Sequence, residues 1–248
     1  MQTAIRPCTR EPTMNPFAVA IMQPYFLPYA GYFRLFAATD LFVIYDCVQF
    51  PRRGWVHRNR LVDASGKERW LTLPLAKVPQ QTLIRDLCFS PDATDILSER
   101  LRSFADLAHA PASASPIMDA LRDVSGTPVT YIEKLLNRVV AYLDLPWNVV
   151  RSSSLNVPQS FRGQDRIIEI VRRVGAREYL NAPGGHHLYD RDAFARAGIA
   201  LRFLSDYSGP SASILARILS ETPHDLAQDI RASARGHAPH RSTSALGS

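Results

Sequence analysis

Cysteine is scarce in this 248-residue chain: Cys8, Cys47 and Cys88 are widely spaced, and no two stand at a metal-ligand spacing. That leaves no basis for a disulfide framework or a cysteine-bound metal, and reduced thiols fit a cytoplasmic setting. Long apolar runs are missing too, since no window approaches the ~20 apolar residues needed to span a bilayer. The first seventeen residues carry Arg6, Arg10 and Glu11 without an apolar segment of secretory length. Residues 1–16 are therefore expected to be a flexible leader and not a signal peptide. No Gly-x-Gly-x-x-Gly follows the first apolar run, which weakens a dinucleotide reading, and neither a Gly-Lys-Ser/Thr phosphate loop nor a Gly-x-Ser-x-Gly elbow occurs. There is no internal repeat.

What is present is ordinary for a globular protein: 46% hydrophobic and 21% charged residues, in a chain long enough to bury a substantial core. Lys and Arg number 29 against 23 Asp and Glu, a net charge of +6. That balance permits an anionic ligand without demanding nucleic acid. Arg231, Arg235 and Arg241 inflate it, and residues 232–248, dominated by Ser, Arg, Ala, Gly, His and Pro, are expected to be a disordered tail.

The chain is organised around residues 18–60. An unbroken β-rich run from Phe17 to Met22 predicts a strand buried on both faces of a parallel sheet. Pro24 and Pro28 then forbid regular structure over residues 23–29, because each removes a backbone donor and restricts the residue before it. Tyr32, Phe33 and Phe36 recur at helical spacing, predicting a helix over 29–38, and Leu41 to Tyr45 reads as the next strand. Ligand crevices of open α/β sheets lie outside the carboxyl ends of the strands, so residues 23–29 and 46–60 are expected to wall one site.

Beyond that stretch, Ser65-Gly66 reads as a hairpin turn ahead of a strand at 69–75, and residues 82–89 as a further short strand. Residues 92–145 form a helical block, in which Thr127-Pro128 opens the strongest helix. Strands at 147–153, 178–181 and 199–204 then alternate with helices at 163–174 and 192–197, the latter two followed by Gly175 and Gly198. A final helix is expected within 211–231. The predicted fold is α/β, a Rossmann-like, mostly parallel sheet with a helical insertion at about 92–145, within a single domain spanning 17–231.

Two clusters carry candidate chemistry. The first joins Gln23, Asp46, Gln49, His57, Arg58, Asn59 and Arg60, with Arg52 and Arg53 close by and Tyr25, Tyr29 and Trp55 as aromatic walls. Guanidinium groups bind phosphate or carboxylate through forked hydrogen bonds, and a strand-end carboxylate can act as a base or orient a histidine. The plain alternatives are a solvated basic loop and core aromatics. Cys47 with His57 is a further nucleophile candidate, although a cysteine between Asp46 and Val48 at a strand end is more often inert. The second cluster is Gly184, Gly185, His186, His187, Tyr189 and Asp190, where Gly-Gly permits close backbone approach to a ligand and a histidine can serve as base with Asp190 as its orienter. Adjacent histidines rarely share one metal, so no metal site is expected.

The segments Met-Gln-Pro-Tyr-Phe-Leu-Pro-Tyr-Ala-Gly-Tyr-Phe, Phe-Val-Ile-Tyr-Asp-Cys-Val-Gln-Phe and Gly-Trp-Val-His-Arg-Asn-Arg closely resemble the WbqC-like protein family, as do Trp70-Leu-Thr-Leu-Pro74 and Gly175-Ala-Arg-Glu-Tyr-Leu180. Cys47 stands where the family pattern leads us to expect Asp, and His57 where it leads us to expect Asn. The resemblance implies a bacterial protein associated with surface-polysaccharide and O-antigen biosynthesis, and an acyl or aminoacyl transfer, glycyl among them, onto a sugar of that or a related secondary-metabolite pathway. On that reading Asp46, His187 and His57 are acid/base candidates, Arg58, Asn59 and Arg60 hold an anionic or carbonyl group, and Tyr25 and Trp55 stack on sugar or base. Acyl-coenzyme A or aminoacyl-tRNA are the implied donors, and the substrate is a sugar-linked anion; no cofactor is assigned. The rivals are a nucleotidyl- or phosphoryl-transfer enzyme of nucleotidylyltransferase-like topology and a non-catalytic scaffold protein of the same pathway.

Overall fold

Strand β1 (Ala18–Met22) is buried along nearly its whole length and pairs in parallel with β2 (Leu41–Ile44), Val19 opposite Leu41 and Met22 opposite Ile44. Helix α1 (Ala30–Ala38) connects them. In the computed structural model, which describes residues 17–235 apart from Ala64, these two strands form the centre of a five-stranded sheet. Its other members are β5 (Val149–Arg151), β6 (Glu178–Asn181) and β7 (Ala200–Phe203), in the order β5-β2-β1-β6-β7, and every pairing is parallel. From β1 the chain moves outward to one side and later to the other, so the order reverses between β1 and β6. That is the Rossmann-like arrangement expected from the sequence.

Side chains alternate across the strands and so build two apolar layers. Ala20, Phe42 and Ile44 pack with Leu35 and Phe36 of α1 on one face. Val19, Ile21 and Val43 pack on the other with Ile167, Ile170 and Val171 of α5 (Gly163–Arg173) and Phe194 of α6 (Arg191–Arg196). Helices α2 (Ala93–Arg102), α3 (Ser115–Arg122) and α4 (Pro128–Tyr142) occupy the segment before β5, and their apolar residues belong to the same core as α1. Thr127 caps α4 by accepting the Thr130 N–H at 3.2 Å, with Pro128 in its first turn. Gly175 ends α5 at φ +73°, a conformation that suits glycine. No helix among the described residues is long and apolar enough to cross a membrane.

Several local expectations change. Arg58 to Arg60 lie in a strand and not in a solvated loop: β3 (Arg58–Val62) pairs antiparallel with β4 (Glu68–Thr72), which starts one residue before the expected 69–75 and ends three residues short of it. The strand expected at 82–89 is a 3-10 turn at Ile84–Asp86, flanked by single bridges Gln49 to Leu83 and Leu75 to Phe89. Ile84 and Leu87, which follows the turn, are three apart and both buried, as the three-residue repeat of a 3-10 turn places them on one side. The final helix is two, α7 (Ile214–Ser220) and α8 (Pro223–Ala234), because Pro223 starts a new helix behind the Thr222 cap. Helix α8 thus continues past residue 232; the leader 1–16 and residues 236–248 lie outside the described residues.

Candidate functional site

All five parallel strands deliver their carboxyl ends to one edge, and the loops there form two cavities. The larger, about 710 Å³, lies beyond β2 and β5. Asp46 follows β2 and is 1% exposed. Its Oδ1 accepts from Ser152 Oγ at 2.8 Å and the Ser153 N–H at 2.9 Å, and its Oδ2 from Ser153 Oγ at 2.6 Å. The carboxylate therefore clamps the turn after β5. Ser152 Oγ also accepts the Asp46 N–H and lies 2.9 Å from Cys47 Sγ.

Arg166, in the first turn of α5 and 9% exposed, completes this cluster. Its Nε and Nη2 donate to Cys47 Sγ at 3.3 and 3.1 Å, and its remaining N–H groups go to the carbonyls of Val157, Pro158 and Phe161. None of these partners is a carboxylate. Arg85, Arg162, Gln49 and Tyr45 also line the cleft, whose lining contains no Asp or Glu. Burial pushes the Tyr45 phenol up, so it faces the cleft as a neutral hydroxyl.

The second cavity, about 250 Å³, is lined by Tyr25, Pro28, Tyr29, Trp55, Asn59, Arg60 and Ser211. It brings together five residues singled out in the sequence. Asn59 is 5% exposed and directs its Nδ2 to the backbone carbonyls of Phe26, at 3.1 Å, and Leu27, whose φ of +48° is unusual for a branched side chain. Asn59 therefore holds the Pro-bounded loop in shape. Arg58 likewise serves the hairpin, donating to the carbonyls of Arg53 and Gly54 and lying 4.2 Å over the Trp70 ring. Arg60 reaches the pocket, paired with Glu68 at 3.0 Å and flanked by the rings of Trp55 and Trp70. Those two indoles are 39% and 43% exposed, with centroids 5.5 Å apart. Burial raises the Tyr25 and Tyr29 phenols, so both present neutral hydroxyls.

Of the remaining candidates, only Gln49 belongs to either lining. Gln23 offers its carbonyl to Tyr32 Oη at 2.9 Å. His57 packs edge-on against Phe50 with a buried Nδ1 that has no partner; burial, reinforced by Arg58, lowers its pKa to about 4. It is neutral at pH 7 and is not a partner of Cys47. Gln49 lines the larger cleft and donates to the Gln80 carbonyl at 2.9 Å. In the turn Pro183–Leu188, His186 stacks on Phe203 with centroids 3.8 Å apart, His187 and Gly184 are exposed, and a Cβ on Gly185 would lie 2.3 Å from Asn181 Nδ2. Tyr189 Oη meets Tyr179 Oη at 3.3 Å, and Asp190 caps α6 through the Asp192 N–H at 3.0 Å. Asp190 is engaged with the helix and Arg196, not with a histidine.

Sequence reasoning missed Arg166, Ser152, Arg85, Arg162 and Trp70. Arg166 carried a usable signal: it stands at helical spacing with Ile167, Ile170 and Val171, so a charge falls on the apolar stripe of α5.

The family model of the WbqC-like protein family matches residues 23–211, a span that contains the linings of both cavities. The chain belongs to the WbqC-like protein family. It is also 28% identical over 197 residues, 77% of this chain and 83% of the relative, to the uncharacterized protein Rv1507c of Mycobacterium tuberculosis. No solved structure matches it. Within this WbqC-like chain, the described residues contain no group of three or more His, Cys, Asp or Glu placed to hold a metal ion.

Proposed function

We propose that this WbqC-like protein transfers an acyl or aminoacyl group, glycyl among them, onto an amino or hydroxyl group of a sugar in surface-polysaccharide biosynthesis. The observation that carries this reading is the presence of two cavities of different chemistry at one sheet edge, which suits a transfer between two substrates. The arginine-lined cleft is assigned to the donor. The aromatic pocket is assigned to the sugar, whose ring faces suit Trp55 and Tyr25 and whose anionic group suits Arg60.

Asp46 acts as a positioning residue, since its oxygens are occupied by Ser152 and Ser153. The exposed His187 at the same edge is the base candidate: it would take the acceptor's proton as the acceptor nitrogen or oxygen bonds the acyl carbon, and return it to the departing coenzyme A sulfur or tRNA oxygen. Holding donor and acceptor together supplies proximity, and Arg166 places a fixed positive charge in the cleft assigned to the donor.

The test is a product assay by mass spectrometry, crossing acyl-coenzyme A and aminoacyl-tRNA donors with nucleotide-linked amino and hydroxy sugars. A sugar gaining the acyl mass supports the proposal, with Trp55→Ala raising KM for the acceptor and not for the donor. Turnover that requires a divalent metal and releases pyrophosphate, without acyl gain, would instead support nucleotidyl transfer, which draws on the same arginines. No product with any pair would sink both.

A further inference from the structure

The cleft beside Cys47 is strongly cationic: Arg85, Arg162 and Arg166 line it and no carboxylate does. Two acids lie next to the lining without being part of it. Asp46 is enclosed by Ser152 and Ser153, and Asp86 meets Arg85 at 3.5 Å on the exposed side. Neither reaches Arg162 or Arg166 by any ion pair. Arg166 is immobilised, with its N–H groups on Cys47 and three carbonyls, so it contributes field but no free donor. Arg162 has no ion pair among the described residues, and Arg85 meets Asp86 through Nε alone, at 3.5 Å; both are exposed and come from separate loops, so the Nη groups of each can close on an anion.

Around them the lining is uncharged: Asn156, Gln49, Gln81, Gln159 and Ser153 offer amides and a hydroxyl, and Val48, Leu83 and Val157 add apolar wall. Tyr45 and Phe161 supply ring faces. A volume of about 710 Å³ is that of a cofactor-sized site, larger than a single phosphate needs. Two cations, neutral hydrogen-bonding groups and aromatic surface in one cavity are the complement of a nucleoside diphosphate.

We propose that this cleft binds the nucleoside-diphosphate portion of a substrate, with the diphosphate on Arg85 and Arg162 under the field of Arg166. The inference rests on the transfer reading above, whose donor (an acyl-coenzyme A) and acceptor (a nucleotide sugar) both contain this group. It names the chemistry they share.

The experiment is titration calorimetry with ADP, UDP, inorganic pyrophosphate, adenosine and uridine on the full chain and on the Arg85→Ala/Arg162→Ala double variant, whose fold is checked by its melting curve. Binding of ADP or UDP but not of their nucleosides, weakened about 100-fold in the double variant, is the expected result, since each charged hydrogen-bonding group is worth roughly tenfold or more. Competition then separates the sources: displacement by coenzyme A assigns the cleft to the donor, and displacement by a nucleotide sugar to the acceptor. Absence of binding by every diphosphate, or equal affinity in wild type and double variant, overturns the inference. Diphosphate binding with no acyl transfer would remove the transferase reading and leave this one standing. Acyl transfer from a donor without a diphosphate, unchanged in the double variant, would do the reverse.

Discussion

In the cleft beside Cys47 the charged groups Asp46 and Arg166 are buried and held by serines, a thiol and backbone carbonyls, whereas in the pocket beside Trp55 the functional surface is exposed: Arg60 and two indoles at about 40% exposure. The first region is bound up with the fold itself. The second is carried on a two-stranded hairpin that pairs with no strand of the main sheet. Substitution should therefore affect folding in the first and mainly ligand recognition in the second, and the contrast can be tested residue by residue.

The largest effect is expected at Arg166. Replacing it with Met removes five hydrogen bonds and leaves three carbonyls and the Cys47–Ser152 contact unsupported. A loss of about 3 kcal/mol in urea unfolding is the expected outcome; a loss below about 1 kcal/mol would mean that the cleft is not built on this residue. Asn59→Ala follows, at about 2 kcal/mol, because two loop carbonyls lose their buried donor. That residue lines the pocket yet behaves like a cleft residue, so it sets the limit of the comparison.

His57 comes next. Its folded-state pKa of about 4 lies below the ordinary 6.5, so the unfolded chain binds the proton more tightly. The stability tied to the neutral imidazole is present above pH 6.5 and is lost as pH falls toward 4. Allowing for the ring's partial exposure, the loss is on the order of 1 kcal/mol. His57→Phe should flatten that part of the stability-versus-pH profile, and an unchanged profile would contradict the assignment. The smallest effect belongs to Arg58 and Trp70, 4.2 Å apart: a double-mutant cycle should give a coupling of about 0.5–1 kcal/mol. A much larger value would mean that the hairpin rings are structural and not a free binding face.

The central βαβ unit was legible because local chemistry and global placement agree there. The apolar run before Gln23, the two prolines and the helical spacing of Tyr32, Phe33 and Phe36 each point one way, and β1, the loop and α1 follow. The candidate site was legible only as a list of residues. Gln49, Asp46 and Arg60 are close in sequence, but the hairpin carries Arg60 to one cavity while β2 leaves Asp46 and Gln49 at the other. Polar side chains were also easier to find than to assign. Asn59 and Arg58 look like ligand donors until their hydrogen bonds to backbone carbonyls are seen, and Asp190 looks like an orienter until it is found capping α6. Ser152 and Ser153 fall at the end of the strand expected at 147–153 and carry no local sign of a role, because their partner, Asp46, lies more than a hundred residues earlier.

That separation has a kinetic meaning. The Asp46 carboxylate and the Ser152 hydroxyl are 106 residues apart, with the hairpin and helices α2, α3 and α4 between them. Closing so long a stretch of chain costs entropy before any contact repays it, so such pairings form late. During refolding the β1–β2 core should gain protection from hydrogen exchange first, and the turn after β5 should close over Cys47 among the last events. A thiol reagent added in brief pulses would then label Cys47 early in refolding and lose access to it as the edge strand docks.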